Sequence, residues 1–108
     1  MQVLIQVVST KDDSLRKRIA NDTKLKEFGL SIRKKKQVGR SPGWLKLHSS
    51  YSDRHGAINV EWSESSRILT YRVVTKRAGK PFHIVGDFIA YMLGRFRTRI
   101  GAITIIPG

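Results

Sequence analysis

INVEWSESSRILTYRVVT, residues Ile58 to Thr75, is the stretch that decides the fold. Ile58, Val60 and Trp62 alternate with Asn59 and Glu61. After four polar residues, Ser63 to Ser66, the chain returns with Leu69, Tyr71 and Val73 on one side. A period of two places successive side chains on opposite faces of a pleated ribbon, so each arm has one apolar and one polar face. Because both arms are rich in β-branched and aromatic residues, the pattern predicts a β-hairpin whose apolar face needs a second layer.

That layer follows directly in the chain. Lys76-Arg77-Ala78-Gly79-Lys80 forms a polar loop into Pro81, which suits a first helical position because its missing N–H would be unpaired there anyway. Phe82, Val85, Ile89, Met92, Leu93 and Phe96 then recur at spacings of three and four, predicting the main core helix, with Ile84, Phe88 and Tyr91 as a second apolar strip beside them. Arg95, Arg97 and Arg99 fall at its end, where cations complement the helix dipole. Ala102 to Ile106 is an apolar, β-branched run closed by Pro107-Gly108, and reads as a buried strand.

Upstream of the hairpin, Val3 to Val8 is apolar and β-branched, the pattern of a strand buried on both faces. Thr10 or Asp12 offers a cap for a short amphipathic helix with Leu15 and Ile19 on one face. Asn21-Asp22 interrupts it ahead of a second turn carrying Leu25 and Phe28, and Gly29 supplies the stop. From Leu30 the period returns to two, but Lys34 and Lys36 fall on the face of Leu30 and Ile32 while Arg33 and Lys35 fall on the other. Burying unpaired ammonium groups costs more than a central strand returns, so this segment belongs at a sheet edge or in a protruding arm. Trp44 to His48 alternates again, making residues 30–49 a hairpin with a longer connection, and Trp44 reads as its anchor in the core.

The expected order is therefore β-α-β-β-β-β-α-β in one domain, residues 1–108. The fold class is α+β, a two-layer sandwich with a mainly antiparallel sheet of five to six strands and two helices on one face. Its ends are architecturally related to a ferredoxin-like split βαβ unit, with an additional hairpin between them, a likeness that carries no function.

Composition narrows the partners. Twenty-one Lys and Arg stand against eight Asp and Glu, a formal net charge of +13. A field of that sign concentrates polyanions, so nucleic acid, RNA or DNA, leads the candidate partners, with acidic protein behind it. No cysteine is present, which excludes a disulfide framework, a thiolate nucleophile and a cysteine-based zinc site, and fits a cytoplasmic chain. No apolar run approaches the ~18 residues of a membrane span, and the opening lacks the features of a signal peptide.

Three groups of residues bear on chemistry. Arg33, Lys34, Lys35, Lys36 and Arg40 form the favoured grip on a phosphate backbone, with Lys46 a further candidate phosphate contact beside them, and Arg77 and Lys80, just before a helix N-terminus, form a second contact. His48 and His55, near Tyr51, Asp53 and Arg54, are the candidate acid and base of a metal-free, toxin-like ribonuclease. No histidine or carboxylate spacing resembles a metal site, no P-loop spacing appears, and no cofactor is implied. The leading reading is a small basic nucleic-acid-binding protein, more a binder than an enzyme. Its rivals are a self-associating structural protein, a homo-oligomer joined by strand edges or by the helix stripe that includes Phe88 and Tyr91, and the ribonuclease.

Overall fold

The computed structural model describes residues 2–32, 44–51, 56–75 and 81–107, with the side chain of Trp44 outside that description. In chain order the elements are β1 (Gln2–Ser9), α1 (Leu15–Ala20), a 3-10 turn (Leu25–Phe28), β2 (Leu30–Ile32), β3 (Trp44–Ser49), β4 (Gly56–Ser63), β5 (Ile68–Thr75), α2 (Pro81–Phe96), a second 3-10 turn (Arg97–Arg99) and β6 (Ile100–Ile106). All six strands join one sheet in the order β2-β3-β4-β5-β1-β6, with every neighbouring pair antiparallel. This is the expected α+β two-layer architecture. β5 and β6 both run antiparallel to β1 and are joined by α2, so this end is the anticipated split βαβ unit, and β2 to β4 extend the sheet beyond it.

The hairpin forms as its period demands, with Ile58 against Val73, Val60 against Tyr71 and Trp62 against Leu69. Arg67 closes the turn with φ of 54°, and its carbonyl accepts from the Ser9 N–H, which fixes the turn to the end of β1. α1 lies over β3 and β4 while α2 lies over β5 and β1, and the first 3-10 turn covers β2. The core between the layers holds Val3, Ile5, Val7, Leu15, Ile19, Leu47, Ile58, Val60, Leu69, Tyr71, Ile84, Phe88, Tyr91 and Met92. Tyr91 is its aromatic centre, meeting Phe28, Phe88 and Phe96 edge to face at centroid distances of 5.4, 5.9 and 5.6 Å. Gly29 ends the first 3-10 turn at φ of 73°, and the Tyr51 ring lies where a β-carbon would stand, so both backbone and space require glycine.

Four expectations need correction. Ser14, not Thr10 or Asp12, caps α1, its hydroxyl accepting from the Lys17 N–H, because the Asp12 carboxylate is engaged by Arg67 instead. The buried stripe of α2 is Pro81, Ile84, Val85, Phe88, Tyr91, Met92 and Phe96, which leaves Phe82 and Leu93 exposed, so the helix is rotated toward the strip taken as secondary. Phe88 and Tyr91 are thereby core residues and no part of a subunit surface. Finally, β1 is buried on one face only, and β6 is an exposed edge.

Tyr71 hydroxyl is buried without a hydrogen-bond partner among the described residues, and burial raises its pKa well above the ordinary tyrosine value. An unpaired buried hydroxyl costs about 1–3 kcal/mol. Tyr71→Phe should therefore leave stability unchanged or raise it by up to about 2 kcal/mol in urea unfolding, whereas Phe88→Ala, which empties the site against the Tyr71 ring, should lower it by about 3–5 kcal/mol.

Candidate functional site

The sheet has a covered and an uncovered face. On β1, β3, β4 and β5 the residues facing the helices are Val3, Ile5, Val7, Leu45, Leu47, Ile58, Val60, Leu69, Tyr71 and Val73, all buried. Their alternates, including Leu4, Gln6, Val8, Lys46, His48, Asn59, Glu61, Thr70, Arg72 and Val74, are all half-buried or exposed. Opposed residues of antiparallel strands share a face, so the register orders this surface into rows. One row runs Lys46, Asn59, Arg72, Leu4 and Ile106; the next runs Ser31, His48, Ala57, Val74 and Gln2. Lys46 and Arg72 thus stand two strands apart in mid-sheet, about 10 Å, with an amide between them.

Part of the charge on the helical side is spent locally. Asp13 takes both Arg18 and Arg99, Asp12 takes Arg67 at 3.1 Å, and Glu27 takes Lys24 at 3.6 Å. The hydrogen bond from Arg18 is the main reason that the Asp13 carboxyl sits below its usual range. Asp22 is the buried member, its side chain 5% exposed. Arg95 forks onto it through Nε at 3.0 Å and Nη2 at 3.2 Å, the Tyr91 hydroxyl donates at 2.8 Å, and the Lys24 backbone N–H donates at 3.0 Å. Burial pushes the Asp22 pKa up, but these donors outweigh it and hold the carboxyl below its ordinary value. Burial, followed by the bond to Asp22, drives the Tyr91 phenol in the opposite direction, upward. In the groove of about 450 Å³ between α1 and the end of α2, the charged lining residues Asp13 and Arg18, and Asp22 and Arg95, are already paired with one another, while the Lys17 side chain lines it as well.

Arg33, Lys34, Lys35, Lys36, Arg40, Arg77, Lys80 and His55 lie outside the described residues. What is described is where their flanking strands stand. β3 begins at Trp44 opposite Glu61, and β5 ends at Thr75 opposite Gly56. Those rows are five residues apart along β4, roughly 17 Å at about 3.3 Å per residue, and the Lys46 and Arg72 row falls between them. The two cationic segments are thus joined to the sheet near opposite ends of one strand trio. Lys46 was already a candidate phosphate contact from the sequence, but Arg72 was not. Its signal was present all the same, as a polar position of an alternating strand.

His48 lies on the open face, its Nε2 3.0 Å from the Ser31 hydroxyl. Among the described residues no third group orients this serine and histidine, and the pair is a hydrogen bond. Among the described residues no group of three or more histidines and carboxylates is arranged for a metal ion, and no helix is long and apolar enough to cross a membrane. Comparison with protein-family models, with curated proteins and with solved structures found no match.

Because the Asp22 carboxyl is held below its unfolded value of ~3.9, its contribution to stability is complete above that pH and is lost as the pH falls through the folded pKa. Asp22→Asn should lower stability at neutral pH by about 1–3 kcal/mol. It should also flatten the decline in stability between about pH 5 and pH 2 that the parent chain shows in urea titrations repeated across pH.

Proposed function

We propose that this chain is a small basic cytoplasmic protein that binds nucleic acid, RNA or DNA, along the uncovered face of its sheet, mainly through the phosphate backbone. The observation that carries this reading is the register that aligns Lys46, Asn59 and Arg72 in one row of the open face, between the strand ends from which the cationic segments 33–43 and 76–80 continue in sequence. The segments 33–43 and 76–80 contribute eight further cations and no carboxylate. Their attachment near opposite ends of the β3 to β5 trio makes Lys46 and Arg72 the middle of a track. A half-polar sheet face that aligns Lys46 and Arg72 suits backbone contact, in which affinity comes from neutralised phosphates and not from sequence. Catalysis is no part of this reading, and neither a cofactor nor a metal is required by it.

Fluorescence anisotropy with a labelled single-stranded oligonucleotide tests it. The logarithm of the binding constant should fall linearly with the logarithm of salt, by about 0.7 for each phosphate neutralised. Replacing Arg33, Lys34, Lys35 and Lys36 by Gln should flatten that slope by roughly 2–3, and Lys46→Gln with Arg72→Gln by roughly 1. Lys26→Gln, on the helical side, should leave it unchanged. Salt-independent binding, or a slope altered by Lys26→Gln and not by the open-face changes, would overturn the proposal.

A further inference from the structure

IGAITII, residues Ile100 to Ile106, has the composition of a buried strand, with four isoleucines and no charged residue, yet β6 is the last strand of the sheet and none of its residues is buried. Ile105 and Ile106 are each 45% exposed, and Val8 beside them on β1 is 42% exposed. One side of β6 pairs with β1, and its other side presents the backbone N–H and C=O groups of a strand edge. Natural edges are guarded by shortness, by charge, by proline or by bulges. The opposite edge has the first two, since β2 is three residues long and runs in sequence into Arg33-Lys34-Lys35-Lys36. β6 is seven residues long and carries neither charge nor proline; its register shift against β1 falls at its start, at Gly101, which leaves Ala102 to Ile106 regular and unguarded.

We propose that two copies of this chain join through β6, edge to edge and antiparallel, into one continuous sheet. A strand paired antiparallel with itself is self-complementary about a two-fold axis perpendicular to the sheet, so the contact closes at a dimer. Opposed residues must share a face, which restricts the axis to a residue, Ile103 or Thr104 at the strand centre, and excludes the one-residue slip between them. With the axis at Thr104, Ile103 meets Ile105 of the partner subunit on the helical side and Ala102 meets Ile106 of the partner subunit on the open side, with Val8 behind; with the axis at Ile103, that residue meets its own copy on the helical side and Ala102 meets Thr104 of the partner subunit on the open side.

The net charge of +13 opposes a second copy only weakly at this edge. Neither β1 nor β6 contains Lys or Arg, Arg99 just before β6 is held by Asp13, and β3 lies four strands away, about 19 Å. That separation exceeds the ~8 Å Debye length at physiological salt, so the cations of the far edge oppose the contact weakly. The axis also places both helical layers on one side and both open faces on the other.

Sedimentation velocity of the full chain across the micromolar range tests the proposal. The expected result is a concentration-dependent monomer and dimer. Thr104→Lys and Ile105→Lys, exposed positions on opposite faces of β6, should each weaken dimerisation by roughly a hundredfold or more, with near-ultraviolet circular dichroism confirming the fold. A single cysteine at Ile103 or at Thr104 gives a second readout in a chain that has none of its own. Opposed Cα atoms of an antiparallel pair lie about 4.5–5.5 Å apart, within disulfide range, so one of the two positions should cross-link on mild oxidation while Val74→Cys on β5 does not. A monomer at every concentration would overturn the inference, as would a dimer that survives both lysine variants or the absence of a cross-link at both central positions.

Discussion

Six strands are wider than two helices can cover, and the rest of the molecule follows from that mismatch. At about 4.8 Å per strand the sheet spans roughly 24 Å between its outer strands, while helices pack about 10 Å apart and the six-residue α1 is only about 9 Å long. α1 takes β3 and β4, α2 takes β5 and β1, and the 3-10 turn before β2 closes one flank. No third helix is left for β6, and no helix at all crosses to the other face among the described residues. An uncovered face and an apolar edge are therefore consequences of the element count.

The covered side is held by an electrostatic tie as well as by packing. Asp22, in the turn after α1, is gripped by Arg95 and Tyr91 from the last turns of α2, so the two helical segments are fixed to each other as well as to the sheet. Charge-assisted and bidentate hydrogen bonds of this kind are the stronger ones, and here they also consume a carboxylate that would otherwise oppose the field of the surface. Asp12, Asp13 and Glu27 are used in the same region. The acidic residues thus cluster where several of the cations are structural, and eight cations with no carboxylate among them lie in the sequence segments 33–43 and 76–80.

Much of the fold was legible in the sequence because its signals are local. The period of two in Ile58 to Thr75 and the glycine stop at Gly29 each specify an outcome that no distant contact overrides. The misreadings concern relations between elements. Val3 to Val8 and Ile100 to Ile106 look alike as apolar runs, yet burial on one face, both or neither depends on how many helices reach each strand. In α2 the two apolar strips are adjacent, and only packing against Tyr71 and Phe28 selects the one containing Phe88 and Tyr91. The candidate site was legible as charge and not as place. Lys46 and Arg72 are 26 positions apart in the chain, and the β3-β4-β5 register alone aligns them.

The uncovered face and the uncovered edge meet in one surface, apolar toward β6 and basic toward β3. The central claim is that the basic part of this face, and not the helical layer, receives the polyanion. Amide chemical-shift mapping during titration with a short single-stranded oligonucleotide measures this most directly. The account predicts that the largest shifts fall on Lys46, His48, Asn59 and Arg72, with Lys24, Lys26 and the α2 surface near Phe82 and Leu93 unmoved. Shifts confined to α1 and α2, or none at low salt, would contradict it.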